Sequence, residues 1–378
     1  MDFTPTQEQA AARELAARVF GDLATHERLK AAGTGTDPEL WKALCAAGLP
    51  EAVEATGLLG LVLLAEEQGR VTAQVPFTAS CVYGLLAVAR HGTDEQRARL
   101  LPGLRDGTTV VAGALDDPGR IRSERDGEGG SDGEGGWGRL TGTVDRVPWL
   151  RDATHVLVPD RHDTLWLVPL GGAGPEEPRP GGAGPGVTVT PVELTAPWAA
   201  GRLVLDGARG ERIGGGQRGA GGEADGAAAC ASVRASARIA FAGLQAGVCA
   251  GSLARAVTHT SGREQFGRPL ATRQAVQLRA ADAYMDIEAI RVTAYEAAWR
   301  HDRALPAEEH ALTAAWWASE AGKRVVHAGQ HLHGGMGADL GHPVHRHFLW
   351  GRQLDAHLGC GTEVLAALGD LLARGGGS

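Results

Sequence analysis

The tightest constraint on this fold is the length of the alanine-rich stretches between residues 226 and 378. AAACASVRASARIAFAGLQAGVCAGSLARAVTHT reads as one helix of roughly nine turns at 3.6 residues per turn. TRQAVQLRAADAYMDIEAIRVTAYEAAWRHD reads as a second of similar length, and AEEHALTAAWWASEAGKRVVHAGQHLHGG as a third. HPVHRHFLWGRQLDAHLG and TEVLAALGDLLAR add a fourth and a fifth. Long, mostly antiparallel helices with short links describe a bundle of the four-helix type.

Residues 1–112 are also expected to be helical. Ala12, Leu15, Ala16 and Phe20 share one face at helical spacing. Asp37 stands as an N-cap before Pro38 at a first helical position, and Thr93 as another cap before a helix that stops near a Pro-Gly pair. GLLGLVLLAEEQGRV is apolar on nearly every side until Glu66, as a buried bundle helix would be. From about 113 the helical period disappears. GRLTGTVDRV, ATHVLVPD, TLWLVPL and GVTVTPVEL are short β-prone runs separated by turn residues. The 56 glycines, about 15% of the chain against an average near 7%, concentrate here in loops such as ERDGEGGSDGEGGWG. At that density GxGxxG-like matches carry little weight. The expected organisation is α+β in three blocks: a helical domain at 1–112, a β domain at 113–225 and a helical bundle at 226–378.

Charge and cysteine usage exclude several classes. A net charge of −8 lacks the basic stripe of a nucleic-acid binder. Five scattered cysteines without a CxxC pair point to reduced thiols in the cytoplasm. The N-terminus opens with a cap-like Thr-Pro-Thr and an amphipathic helix rather than a signal peptide. The longest apolar run, residues 57–65, is too short to cross a bilayer. No membrane contact is expected.

Two stretches carry candidate chemistry. In SGREQFGRPLATRQAVQ, Arg263 and Arg268 supply guanidinium groups suited to phosphate, with Phe266, Gly267, Gln265 and Gln274 beside them. By composition it is a loop for a dinucleotide's pyrophosphate or a helix–helix turn with surface arginines. The other stretch, QHLHGGMGADLGHPVHRH, is rich in histidine. His331 and His333 are separated by one residue, and His327 and His331 have helical i, i+4 spacing without the glutamate of HExxH. No cysteine recurs nearby and Asp339 is the one acidic neighbour, so no metal site is expected. The glycines of GGMG instead allow backbone N–H groups to approach a phosphate or ribose. His345, Arg346 and Arg352 follow as surface charges, core partners or ligand contacts.

The whole chain resembles an acyl-CoA dehydrogenase, outside its Gly-rich insertions. FTPTQEQAAARELA, LWKALCAAGLPEA, LLAEEQGRV and GTDEQRARLLPGL are similar to that family's opening domain, and LTGTVDRVPWLRDATHVLVPDR to its β-domain pattern. GREQFGRPLATRQAVQ resembles the R-x-Q-F-G-x-P-x-x-x-x-Q signature, and HLHGGMGADLGHPVHRH the Q-x-x-G-G-x-G loop with its following helix. The resemblance implies FAD held at a subunit interface, in a dimer or tetramer. Arg263, Gln265, Phe266 and Gln274 would contact the FAD diphosphate and adenosine end across the interface. Gly334 and Gly335 would shape a backbone cradle from the neighbouring subunit, and His331 stands where a glutamine is usual, with Gln330 one place early. The implied chemistry is α,β-dehydrogenation of an acyl-CoA thioester, with electrons passed to an electron-transfer flavoprotein.

The chain departs from the family where a base is needed. The usual Y-E-G-T place reads HLGCGTEVL, so Gly359, Cys360 and Gly361 stand there without a carboxylate. The alternative place before an Arg-hydrophobic pair offers Ala237 before Arg238. Pro148 replaces a threonine that would contact the flavin ring. Asp117-Pro118 echoes a T-E-P motif, and Gly130-Ser131-Asp132 echoes G-S-D only by coincidence. These losses, with GADLGHPVHRHFLWGRQ, resemble actinobacterial subunits that pair with a second dehydrogenase chain in a two-plus-two heterotetramer, as in steroid side-chain degradation. The expectation is one subunit of a heteromeric FAD-dependent enzyme acting on a bulky acyl thioester. Three alternatives stay open: a homomeric enzyme whose base has moved to Asp355 or Glu363, a non-catalytic scaffold, or a dehydrogenase of an acyl group on a carrier protein.

Overall fold

The computed structural model describes residues 2–115, 118–125, 136–171, 184–214 and 222–375. Its first helix, α1 (Gln7–Leu23), starts where Thr6 and Gln9 cap each other reciprocally. After α2 (His26–Ala31), α3 (Pro38–Ala46) begins as the sequence predicts: Asp37 accepts from the Leu40 N–H at 3.1 Å, with Pro38 at the first helical turn. α4 (Leu49–Arg70) is broken at Gly57, whose φ of +75° and ψ of −162° leave the helical region. The new N-terminus so created is capped from far along the chain, by Asp302, which accepts from Leu58 N–H at 2.8 Å and Leu59 N–H at 2.9 Å. α5 (Phe77–Ser80) runs through a π turn at Cys81–Leu86 into α6 (Ala87–His91), and α7 (Asp94–Asp106) starts from a second reciprocal cap at Thr93.

One compact unit comprises residues 31–55 and 74–237. Its seven-stranded mixed sheet is built from β1 (Val111–Gly113), β2 (Ile121–Arg125), β3 (Trp137–Val147), β4 (His155–Pro159), β5 (Leu165–Pro169), β6 (Val187–Pro191) and β7 (Gly201–Ile213). The order is β1-β4-β5-β7-β3-β2, with β6 also paired to β7. β1 and β4 run parallel, and every other pairing is antiparallel. Pro148 follows the last residue of β3, and Trp149 beyond it has φ +63° and stacks on Trp198 at 5.8 Å. Both tryptophans are buried.

The other unit comprises residues 1–30, 56–73 and 238–378. It holds most of α8 (Gly222–Gly262), a hairpin of β8 (Glu264–Gln265) and β9 (Arg268–Pro269), then α9 (Gln274–Asp302), α10 (Glu308–His333), α11 (Pro343–His357) and α12 (Cys360–Gly375). The span 226–262 is long and apolar enough to cross a membrane, yet 89% of its apolar window is buried within the protein, as in a core helix. What lets it lie so deep is a stripe of glycines. Added Cβ atoms at Gly247 and Gly251 would stand 2.0 and 2.1 Å from the carbonyl oxygens of Glu66 and Arg70. Gly243 meets Val62 in the same way, so two backbones with matching i, i+4 rows touch directly. Glu66, fully buried, is satisfied there by the Tyr295 hydroxyl at 2.5 Å and by Arg291 at 3.1 Å.

Candidate functional site

The β8–β9 hairpin turns through two residues with positive φ, Phe266 at +52° and Gly267 at +74°, between the paired Gln265 and Arg268. A left-handed conformation suits glycine but costs a phenylalanine about 1–2 kcal/mol. Phe266 nevertheless sits there, 92% exposed. Arg273 steadies the tip, donating to the Gln265 carbonyl at 2.9 Å with its guanidinium 5.4 Å from the Phe266 ring centre. Its buried Nε has no hydrogen-bond partner among the described residues.

Facing the hairpin is the end of α10. Gly334 stops the helix with φ +63° and ψ −139°, and its N–H returns to the His331 carbonyl. Added Cβ atoms at Gly334 or Gly335 would meet nothing within 4 Å, so both present bare backbone to open space. Gly337 has a different duty. A Cβ there would stand 2.2 Å from the Gln330 carbonyl oxygen, and the Gln330 amide donates to the Gly337 carbonyl at 3.0 Å. Gln330 therefore braces the loop, leaving His331 on the cleft side.

Between hairpin and loop lies a cleft of about 940 Å³ whose walls include Arg263, Gln265, Phe266, His331, Gly334 and Gly335. The structure thus brings together six of the residues singled out in the sequence. Gln274 opens α9 on an exposed turn outside the cleft wall, and Arg268 lies on the outer arm of the hairpin. Arg273 and His259 also line the wall without having been singled out, and His333, noted in the sequence only for its spacing from His331, joins them. His259 lies in the last turn of α8, four residues before Arg263, whose N–H bonds the His259 carbonyl at 2.9 Å just past the helix end. Among the described residues no carboxylate lines the cleft. Two guanidinium groups, an unpaired buried N–H and bare glycine backbone match the needs of a diphosphate, so these residues fit the dinucleotide part of FAD.

The run QHLHGGMGADLGHPVHRH resolves into separate duties. His327 packs edge-on against Phe348 at 4.9 Å. His347 is buried between the carbonyls of Arg70 at 3.0 Å and Pro343 at 3.2 Å, and burial pushes its imidazole down to about 4. Arg346, close by, reaches Thr72 and Trp350, and burial lowers it to about 10. Among the described residues no group of three or more His, Cys, Asp or Glu is placed to hold a metal.

The neighbourhood of the expected base contains no unengaged buried carboxylate among the described residues near Cys360. Asp355 is buried and committed to Ser319 at 2.5 Å, Arg352 at 3.4 Å and Lys323 at 3.8 Å. Glu363 is exposed in the first turn of α12. Cys360, with φ +54°, has its thiol raised by burial and by the nearby Asp355 and Glu363. Gly361 packs against Glu320, itself paired with Lys323 at 2.8 Å. At the alternative place, Ala237 is buried and supplies no acid. Asp117 and Gly130-Ser131-Asp132 lie outside the described residues.

A helical bundle carrying a glycine-edged, arginine-lined cleft defines a class of protein equipped to bind a dinucleotide. Residues 6–108 match the acyl-CoA dehydrogenase N-terminal domain and residues 224–364 the C-terminal domain. The chain is 34% identical over 397 aligned positions to acyl-CoA dehydrogenase FadE27 of Mycobacterium tuberculosis, covering 99% of each. Among solved structures it is similar to a Tcur3481–Tcur3483 steroid ACAD variant, with 37% identity, a TM-score of 0.85, and 98% of this chain and 99% of that one covered. The ChsE4–ChsE5 complex from Mycobacterium tuberculosis aligns at 31% identity and TM-score 0.85 over 99% of both chains. The chain belongs to the acyl-CoA dehydrogenase family. Members of this family are FAD-dependent oxidoreductases acting on acyl-CoA.

Proposed function

We propose that this chain is one subunit of a heteromeric, FAD-dependent acyl-CoA dehydrogenase for a bulky acyl thioester, and that a second, related chain supplies the base. The observation that carries this is the state of the carboxylates. Asp355 is held by Ser319, Arg352 and Lys323, while Cys360 occupies the place where the family resemblance puts a glutamate. A carboxylate held by two cations and a hydroxyl inside the bundle is engaged in packing rather than placed to reach a substrate's α-proton. Support for a partner comes from relatives named as pairs, Tcur3481–Tcur3483 and ChsE4–ChsE5, the first described as a steroid enzyme.

In this account Arg263 and Arg273 neutralise the diphosphate, and Gly334 and Gly335 let it approach the backbone. Phe266 and Gln265 at the hairpin tip reach the adenosine end, His331 borders it, and Gln274 sits on the turn behind. FAD, when bound, accepts the hydride that leaves the β-carbon of the thioester as a base takes the α-proton. The work of this chain is to hold and orient the cofactor and to exclude water from its diphosphate. Electrons then leave to an electron-transfer flavoprotein, and the assembly works in the cytoplasm.

The test is to purify the chain alone and together with related dehydrogenase chains and record the visible spectrum. Flavin colour only in the joint preparation supports the heteromer. Flavin that is bleached by thioester in the isolated chain contradicts it, and no flavin in either preparation leaves a scaffold.

A further inference from the structure

Three imidazoles from separate parts of the sequence meet at the cleft. His259 comes from α8 and His333 from the last turn of α10, their rings stacked at 4.8 Å with 19° between planes. His342, just before α11, packs on the other side of His333 at 5.1 Å. His259 and His333 line the cleft beside Arg263 and Gly334.

The hydrogen bonds assign the protons. The Gly329 carbonyl only accepts, so His333 donates to it through Nδ1 at 2.7 Å and its lone pair is on Nε2. His342 Nδ1 accepts from the Val344 N–H at 3.2 Å, so its own proton is on Nε2 and charging it would cost α11 its cap. His259 has no hydrogen bond to either ring nitrogen among the described residues. The charged groups facing the cluster are Arg255 from α8, Arg263 just beyond its end, and Asp339 from the loop before α11. Burial, the neighbouring imidazoles and the arginines lower His259 and His342, against the single opposing carboxylate of Asp339 on His342. In the free protein burial first, then the cationic surroundings, favour the neutral forms of His259 and His342.

A bound dianion reverses that balance, because it stabilises positive charge on the two rings that reach the cleft wall. We infer that His259 and His333 are anion-contacting residues of the cleft, which take up protons as a diphosphate binds, with His342 packed behind them as a neutral support. This rests on the proposal that the FAD diphosphate enters this cleft, and it adds two ligand-contacting residues, His259 outside the sequence motifs and His333 at a position the loop motif leaves unspecified. Its thermodynamic consequence is that the dinucleotide binds more tightly as pH falls.

The full chain, with ¹³C-labelled histidine and its partner chain where assembly requires one, is titrated with two probes, pyrophosphate and FAD. Saturating pyrophosphate should raise the NMR midpoints of His259 and His333 by about one pH unit and leave His342 in place. FAD should bind about five- to tenfold more tightly at pH 6 than at pH 8, and His259→Gln, at a partly exposed position, should reduce that ratio to about twofold. Unmoved midpoints with pyrophosphate would overturn the inference whether or not FAD binds. Midpoints that rise while FAD fails to bind in any preparation would keep the anion subsite and overturn the flavin proposal.

Discussion

The Asp355 carboxylate accepts a hydrogen bond from the Ser319 hydroxyl at 2.5 Å, joining α11 to α10 within the bundle. Lys323 and Arg352 stand on its other side at 3.8 and 3.4 Å. A group so engaged serves the fold. Asp355→Asn is expected to lower stability by about 2 kcal/mol, the worth of a hydrogen bond to a buried charge, as read from urea unfolding. It should leave the flavin content of the assembled enzyme unchanged.

The α4–α8 contact makes a sharper stability prediction. Gly247→Ala places a methyl group 2.0 Å from the Glu66 carbonyl oxygen, and backbone must move to admit it. Overpacking of this kind costs about 1–3 kcal/mol, seen as a fall in melting temperature. Gly21→Ala in α1, where nothing lies within 4 Å, should instead raise stability by up to about 1 kcal/mol through helix propensity.

Much of this bundle was visible in advance because long alanine-rich helices leave few alternatives. The row Gly243, Gly247, Gly251 is plain in the sequence too, but its meaning depends on which helix it meets, and that is set by tertiary packing with residues 62–70. The cap that Asp302 places on Leu58 and Leu59 was out of reach for the same reason. In the cleft, the hairpin and loop motifs exposed Arg263, Phe266 and Gly334, whereas His259 and His333 became neighbours only through the approach of α8 to α10. The histidine-rich run, from which no metal site was expected, divides between cleft, packing and core because helical turns send its members to different faces.

His347 gives the fold a pH dependence. Its imidazole ionises at about 4 in the folded chain against 6.5 in the reference state, so the unfolded chain binds more protons between these values. The stabilisation is complete above pH 6.5 and is lost as pH falls toward about 4, by on the order of 3 kcal/mol. His347→Gln should flatten this part of the urea-midpoint profile relative to the parent protein.

The hairpin tip separates binding from folding. Phe266 is 92% exposed and holds a strained backbone, so Phe266→Ala should cost little stability while weakening flavin retention in the assembled enzyme. Arg263→Ala removes a charge-assisted contact and should weaken retention by about 10- to 100-fold. Both effects are measured by equilibrium dialysis of the flavin.

On the proposed function, this chain holds the cofactor but does not supply the base. The most direct test is anaerobic addition of acyl-CoA to the assembled enzyme, following the loss of the flavin's visible band, with this chain either unaltered or carrying both Asp355→Asn and Glu363→Gln. The account predicts bleaching rates within about twofold of each other, because neither carboxylate takes the α-proton. Bleaching slowed by several orders of magnitude in the double variant, with flavin still bound, would contradict it.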